Sequence, residues 1–518
     1  MNQLKGGVFL NYASVLLTNL LGLVITPLMI HKMGTSEYGL YTLIGAFVGY
    51  LTLLDLGLNH SVVRFVAMYK AKQDKRSEEQ FLGTVLLIYC FIAALVIGVG
   101  LWGYFNLDYI FERSLTADEL YKARIMYAIL LVNIGFTIPG GVFEGVAFGY
   151  ERFIFPKAAR VIKYLVRALA IVLLLEVGFK AIGVVVLDTV LNLIMVIANA
   201  IFVVRKLGVR LRIGMARFEK SYLRHIFSFS IWVFLFGLIY QFRWKSGQVI
   251  LGIQTDTFVV TIFAIGIMLG SYYGTFSSAI TNVFLPKATK MSALDASGEE
   301  LTNMMIKIGR ICLAVLLLIL IGFSCFGEQF IQLWVGGELG DPGSHLAWSI
   351  ALVMMIAYTV PLVQGFAHSV LLAKSKLAFK AIVYMIALFI SLGFGAWLSL
   401  DHGAMGMTWA LAIGWFVSQL VINIYYHKDI GLNIPRFYKE LAKGLVPTGL
   451  ILFGLGLLLD RIPGTGWINF LGKIALFTSV YGVVIFKFAL NDWERETVYK
   501  TLPFAGRFVK NPKDVQDN

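Results

Sequence analysis

Charged residues are scarce in this chain: 14% of its 518 residues are Asp, Glu, Lys or Arg, and 30 are acidic. A soluble domain carries roughly a quarter charged residues, so a water-facing globule of this length is excluded. Long polar connections are missing too, and with them any extramembrane domain able to carry a hydrolase or nucleotide-binding fold. No G-x-x-x-x-G-K-[ST] sequence occurs, so an ATP motor would have to be a separate chain. Cysteine is nearly absent. Cys90, Cys312 and Cys325 all fall in apolar stretches, which argues against a disulfide framework or a metal site and for small packing residues. No small-residue cleavage site follows Met-Asn-Gln-Leu-Lys at the amino terminus, so the first helix is expected to remain as an anchor.

What fills the chain instead is apolar sequence, 58% of residues, with a mean hydropathy of +0.78. About 20 such residues cross the ~30 Å hydrocarbon layer as a helix, and only a helix or a closed barrel satisfies its own backbone there. Runs such as 86–103 and 312–326 lack the alternation of a barrel strand. The expectation is an all-α, polytopic membrane protein with fourteen spans, at 6–31, 39–68, 81–104, 125–148, 155–177, 181–204, 227–252, 258–285, 304–326, 345–372, 378–400, 403–427, 444–460 and 467–490.

The connecting segments alternate in charge. Lys70, Lys72, Lys75 and Arg76 follow the second span; Arg205, Lys206, Arg210, Arg212 and Arg217 follow the sixth; Lys374, Lys376 and Lys380 follow the tenth. The opposite loops 327–345 and 401–403 contain no Lys or Arg. Basic loops stay inside, which puts both termini in the cytoplasm of a multi-pass protein of the cell (inner) membrane. The net charge of +14 is thus a topology signal. It is spread over short loops that face anionic headgroups, and no nucleic-acid partner is expected.

A weak repeat divides the chain. Segments 144–158 and 368–381 align with Val146 on Val370, Arg152 on Lys376 and Phe155 on Phe379, and Met33-Gly34 resembles Leu251-Gly252. Both pairs have the same orientation, so a parallel repeat is expected. The domains read as a six-helix lobe over 1–204, a basic linker over 205–226 and a second six-helix lobe over 227–427. Two additional helices with their preceding loop occupy 428–490, and a cytoplasmic tail runs over 491–518.

Ionisable groups at bilayer depth are costly and are functional candidates for that reason. Arg160, Lys163, Tyr164 and Arg167 share one face of the fifth span. Gln241, Arg243, Lys245 and Gln248 stand near the centre of the seventh, with no acidic residue in that helix. Arg64 lies toward the inner mouth of the second span and Gln364 in the tenth. Substrate-binding candidates are therefore Arg64, Lys163, Arg167, Gln241, Arg243, Lys245 and Gln364. Asp55, Glu144, Asp188 and His368 are candidates for ion coupling, with structural pairing equally open for Asp55 and a solvated carboxylate the plain reading of Glu144. Lys307 and Arg310 are expected to snorkel. Pro27, Pro139, Pro361 and Pro447 permit kinks. No cofactor and no catalytic residue is expected.

Several short motifs carry a resemblance. These are Asn11-Tyr-Ala, then Met33-Gly34-x-x-Glu37-Tyr38-Gly39-Leu40-Tyr41, Leu54-Asp55-Leu-Gly57-Leu58 with Arg64, Gly149-Tyr-Glu151-Arg152-Phe153, and Leu285-Pro286. With them the chain resembles the oligosaccharide flippases of the MOP superfamily, the Wzx-like polysaccharide transporters related to MATE exporters and lipid II flippases. That resemblance implies two six-helix lobes around a central cavity, and movement of undecaprenyl-diphosphate-linked sugars from the inner to the outer leaflet. It also implies membrane lipids, H+ or Na+ and polysaccharide polymerases as partners. The first helix lacks the arginines typical of lipid II flippases. Cations at depth suit a diphosphate better than a cationic drug, so a MATE-like ion-coupled exporter ranks second. A membrane glycosyltransferase or polymerase ranks third, because no outer loop is large enough to hold its catalytic acids.

Overall fold

The computed structural model describes residues 3–52, 58–209 and 220–501. Among them the regular structure is entirely helical: α1 Gln3–Met33, α2 Thr35–Gly49, α3 Leu58–Ala71, α4 Lys75–Phe105, α5 Leu107–Phe111, α6 Ala117–Gly149, α7 Ile154–Glu176, α8 Ala181–Ile201, α9 Lys220–Gln254, α10 Thr257–Thr281, α11 Leu285–Ala293, α12 Gly298–Val363, α13 Gly365–Ala373, α14 Ala378–Lys428, α15 Ile434–Ala442, α16 Leu445–Asp460, α17 Trp467–Val484 and α18 Asp492–Thr501. Eight helices are long and apolar enough to cross a membrane, or nine if the bent pair α15–α16 is one span.

Two of the eight are too long for one crossing. At ~1.5 Å per residue the 66 residues of α12 and the 51 of α14 far exceed a bilayer. Each is broken by a glycine with positive φ, Gly340 (68°) and Gly403 (52°), a conformation that a side chain resists. Helix α7 falls outside the apolar set because Lys157, Arg160, Lys163 and Arg167 interrupt it.

Helix starts follow the local chemistry. Thr116 and Glu119, and again Ser297 and Glu300, form reciprocal capping boxes. Asp74 caps α4, accepting from the Ser77 amide at 3.0 Å. The Ser77 hydroxyl and amide hold the Asp74 carboxyl below its usual range, so this cap is intact at neutral pH and is lost only on acidification through that lowered value.

Helix ends are closed by the backbone. After α3, α6, α11 and α13 the chain makes the same stop, with one residue left-handed: Gln73, Glu151, Asp295 and Ser375, at φ 49–60°. In each, two amides fold back onto the last turn; Arg152 N reaches Ala147 O at 2.9 Å, and Lys376 N reaches Leu371 O at 2.9 Å. Glu151 and Ser375 sit at equivalent positions of the aligned segments.

The helices fall into two compact units, Met1–Ile267 with Val335–Ile350 and Ala378–Gly414, and Met268–Trp334 with Ala351–Leu377 and Trp415–Asn518. This division by compactness differs from the expected boundaries at 204 and 227, which mark a division by repeat. In the first unit α6 packs on α8, α4 and α3, α1 on α7, and α2 on α9, around Ile30, Leu40, Ile44, Val142 and Val146.

The second unit is tied by an ion pair that sequence reading took for a snorkelling cation. Arg310 is 5% exposed. Its guanidinium meets Glu494 Oε1 at 2.6 Å and Oε2 at 3.1 Å, and donates to the carbonyls of Glu440, Lys443 and Ala489. One side chain thus joins α12 to the α15–α16 turn and to α18. Cys312 and Cys325 are buried and Cys90 exposed, all as free thiols.

Removing one partner of a buried pair leaves the other charge without compensation, at a cost of about 3–5 kcal/mol. Arg310→Ala and Glu494→Ala should each lower the melting temperature of the detergent-purified protein markedly. An unchanged melting curve for both would show that the pair holds nothing together.

Candidate functional site

The polar face of α7 is built by spacing. Arg160, Lys163, Tyr164 and Arg167 recur at three and four residues along an otherwise apolar helix, so they emerge on one side, all of intermediate exposure. Arg167 grips Asp188 of α8 with two hydrogen bonds, Nε to Oδ1 at 2.5 Å and a terminal nitrogen to Oδ2 at 2.9 Å. The Tyr41 hydroxyl from α2 closes the group, accepting from Arg167 at 3.1 Å. One turn back, Lys163 donates to Asn192 Oδ1 at 2.5 Å, and Asn192 donates to Asn133 of α6 at 3.1 Å. Arg160 pairs with Glu144. The wall thus carries three cations against two carboxylates, and the surplus charge is that of Lys163, whose hydrogen-bond partner is a neutral amide.

Two of the four coupling candidates are therefore counter-ions here: Glu144 to Arg160 and Asp188 to Arg167. His368 is half-buried on α13. Asp55 lies outside the described residues. Arg64 is exposed on α3.

A second group of cations comes from α9 and the start of α14. Arg243 and Lys380 are both 7% exposed. The guanidinium carbon of Arg243 stands 4.8 Å from the ring centre of Tyr384, and the Lys380 ammonium 5.2 Å from the same centre. One aromatic face system thus serves two cations, as a ring quadrupole allows. Gln248 Oε1 is buried without a hydrogen-bond partner among the described residues. Lys245, half-buried, makes no hydrogen bond or ion pair among the described residues. Its neighbour Ser246 accepts from Tyr50 at the end of α2 at 2.9 Å. Gln241 lies against Gly49, where a Cβ would meet its amide nitrogen at 2.6 Å.

Lys380, Tyr384 and Tyr50 are absent from the sequence-based candidates. By sequence alone Lys380 groups with the basic loop before it. The cue was available: it lies inside the expected span 378–400, one turn before an aromatic residue.

Gln364, by contrast, is held in a neutral network of the second unit. It is 1% exposed; its amide donates to Asn423 at 2.8 Å and to Tyr438 at 3.0 Å, and Gln419 donates back to it. Both ends of its side chain are thus engaged by protein, which leaves it no free polar atom for a substrate. It was expected at the binding site because a lone amide in a span looks alike in either role.

A model of the family described as polysaccharide biosynthesis protein matches residues 4–292. No curated protein matches the chain. Among solved structures, the lipid II flippase MurJ in an inward-closed conformation superposes with a TM-score of 0.73 at 15% identity, over 96% of this chain and 99% of that one. An inward-facing multidrug resistance MATE-family transporter of the MOP superfamily gives 0.60 at 13%, over 82% and 96%. A MOP superfamily transporter from Pyrococcus furiosus gives 0.51 at 12%, over 83% and 94%. At these identities the likeness is one of fold. The chain belongs to the polysaccharide biosynthesis protein family, with the multi-pass helical fold of the MOP superfamily of flippases and exporters.

Proposed function

We propose that this protein is a flippase for a lipid-linked oligosaccharide, an undecaprenyl-diphosphate-linked sugar unit carried from the inner to the outer leaflet by alternating access for surface polysaccharide biosynthesis. It is a transporter and not an enzyme. The observation that carries the reading is the pair Arg243 and Lys380 about Tyr384, two buried cations set in apolar helices. Such charges are costly in hydrocarbon and are retained where an anion or a cavity meets them. A diphosphate supplies that anion, and a guanidinium matches it with a planar fork of donors. Lys245 adds a third cation one turn from Gln241, and Lys163 adds the surplus charge of the α7 wall.

A MATE-like exporter of cations would need carboxylates open to its cargo. Glu144 and Asp188 are each held by an arginine, so that alternative draws no support from them. The same pairing argues that neither is the site of H+ or Na+ coupling in this state.

The reading includes fourteen crossings in the cell membrane with both termini cytoplasmic, supported by the segregation of basic loops. The lobes 1–204 and 227–427 draw support from the recurring stops at Glu151 and Ser375.

Arg243→Ala and Lys380→Ala should each weaken diphosphate binding by on the order of 2–5 kcal/mol, read as lost flipping of an undecaprenyl-diphosphate oligosaccharide in proteoliposomes at matched protein incorporation. Parental rates for both variants would overturn the cationic site.

Arg167→Ala should do its harm through the orphaned carboxylate, so adding Asp188→Asn should restore folding and part of transport. If the double variant is no better than the single one, Arg167 acts on substrate directly.

For topology, Asp341→Cys, exposed at the break in α12, should react with an impermeant maleimide on intact cells. Ala293→Cys, exposed at the end of α11, should react only after permeabilisation. Labelling from the same side would refute the orientation.

A further inference from the structure

Motif residue Glu37 takes no part in the proposed transport site, yet it lines a cavity of its own. That cavity, about 580 Å³, lies against the turn between α7 and α8. Its wall is apolar: Ile182, Val186 and Val190 stand four residues apart on α8, and Phe179 adds the turn. Val186, Val190 and Phe179 are all exposed, so the cavity opens along a flank of the first unit.

Its polar end is different in kind. Glu37 is 8% exposed. Its Oε1 accepts from Lys122 at 2.5 Å, and Lys122 also pairs with Asp118 at 2.6 Å. Oε2 of Glu37 is buried without a hydrogen-bond partner among the described residues. Lys180, also lining the cavity, is exposed, and its ammonium has no hydrogen bond or ion pair among the described residues. Two carboxylates and two ammonium groups leave this end without net charge. What would complete it is an N–H donor for Glu37, an anion for Lys180 and a hydrocarbon chain for the wall.

We propose that this cavity holds one phospholipid with a primary ammonium headgroup, of the phosphatidylethanolamine class. The ammonium donates to Glu37 Oε2, the phosphate faces Lys180, and an acyl chain lies along the α8 stripe. A choline headgroup carries the same charge and has no N–H to donate, so it leaves Oε2 unsatisfied. A glycerol headgroup makes the lipid anionic and brings no positive charge to the carboxylate. The site is independent of the substrate proposed above, because it uses none of the same residues.

Native mass spectrometry of the purified full-length protein with dioleoyl phosphatidylethanolamine, phosphatidylcholine or phosphatidylglycerol tests this. Wild-type protein should retain the ethanolamine lipid at least about fivefold better than either other, about 1 kcal/mol by the relation between affinity and free energy. Glu37→Gln should abolish that preference. Lys180→Ala should weaken the ethanolamine and choline lipids alike and leave their ratio unchanged. Val190→Trp fills the wall and leaves the ion pair intact, so it keeps the test open if Glu37→Gln misfolds; it should reduce retention of the ethanolamine lipid to background. Equal retention of ethanolamine and choline lipids by the wild type overturns the proposal. So does equal retention of the glycerol lipid, an undiminished preference in Glu37→Gln, or undiminished retention in Val190→Trp.

Discussion

A charge carried into hydrocarbon has to be met there by an opposite charge, a dipole or an aromatic face, and the placement of helices in this protein follows from how each is met. Arg167 finds Asp188 and Tyr41, which commits α7, α8 and α2 to one another. Arg310 finds Glu494 and three backbone carbonyls, which commits the ends of four helices. Arg243 and Lys380 are treated otherwise: both lie against one tyrosine ring. A ring attracts a cation less than a carboxylate does, so the aromatic contact at Tyr384 and the carboxylate pairs at Asp188 and Glu494 hold their cations by different physics.

Helices were legible in the sequence because hydropathy alone dictates them in a bilayer. Their breaks were legible as well, since Gly340 and Gly403 fall in the connections 327–345 and 401–403, which lack Lys and Arg and where a long apolar run has to turn. The cations of α7 and α9 announced themselves by depth. Partnership was a different matter. Glu494 is far along the chain from Arg310, in a segment that reads as a polar tail, and nothing local links the two. Gln364 looked like a lining residue because the amide groups that satisfy it, Gln419 and Asn423, belong to another helix. Lys380 was hidden by its neighbours Lys374 and Lys376, which share its charge and lack its burial. Period and composition report what a side chain is; only long-range packing reports what it meets.

The stops at Gln73, Glu151, Asp295 and Ser375 carry a consequence for how such a chain changes over time. Four helices end in one backbone geometry, yet the residue that adopts the left-handed turn is an amide, two carboxylates and a hydroxyl in turn. Because the closing hydrogen bonds run between main-chain atoms, side chains on these loops are at liberty to drift without moving the helices they connect. Any residue that tolerates a left-handed φ can therefore occupy such a stop, and the connection between two helices keeps its course while its chemistry varies.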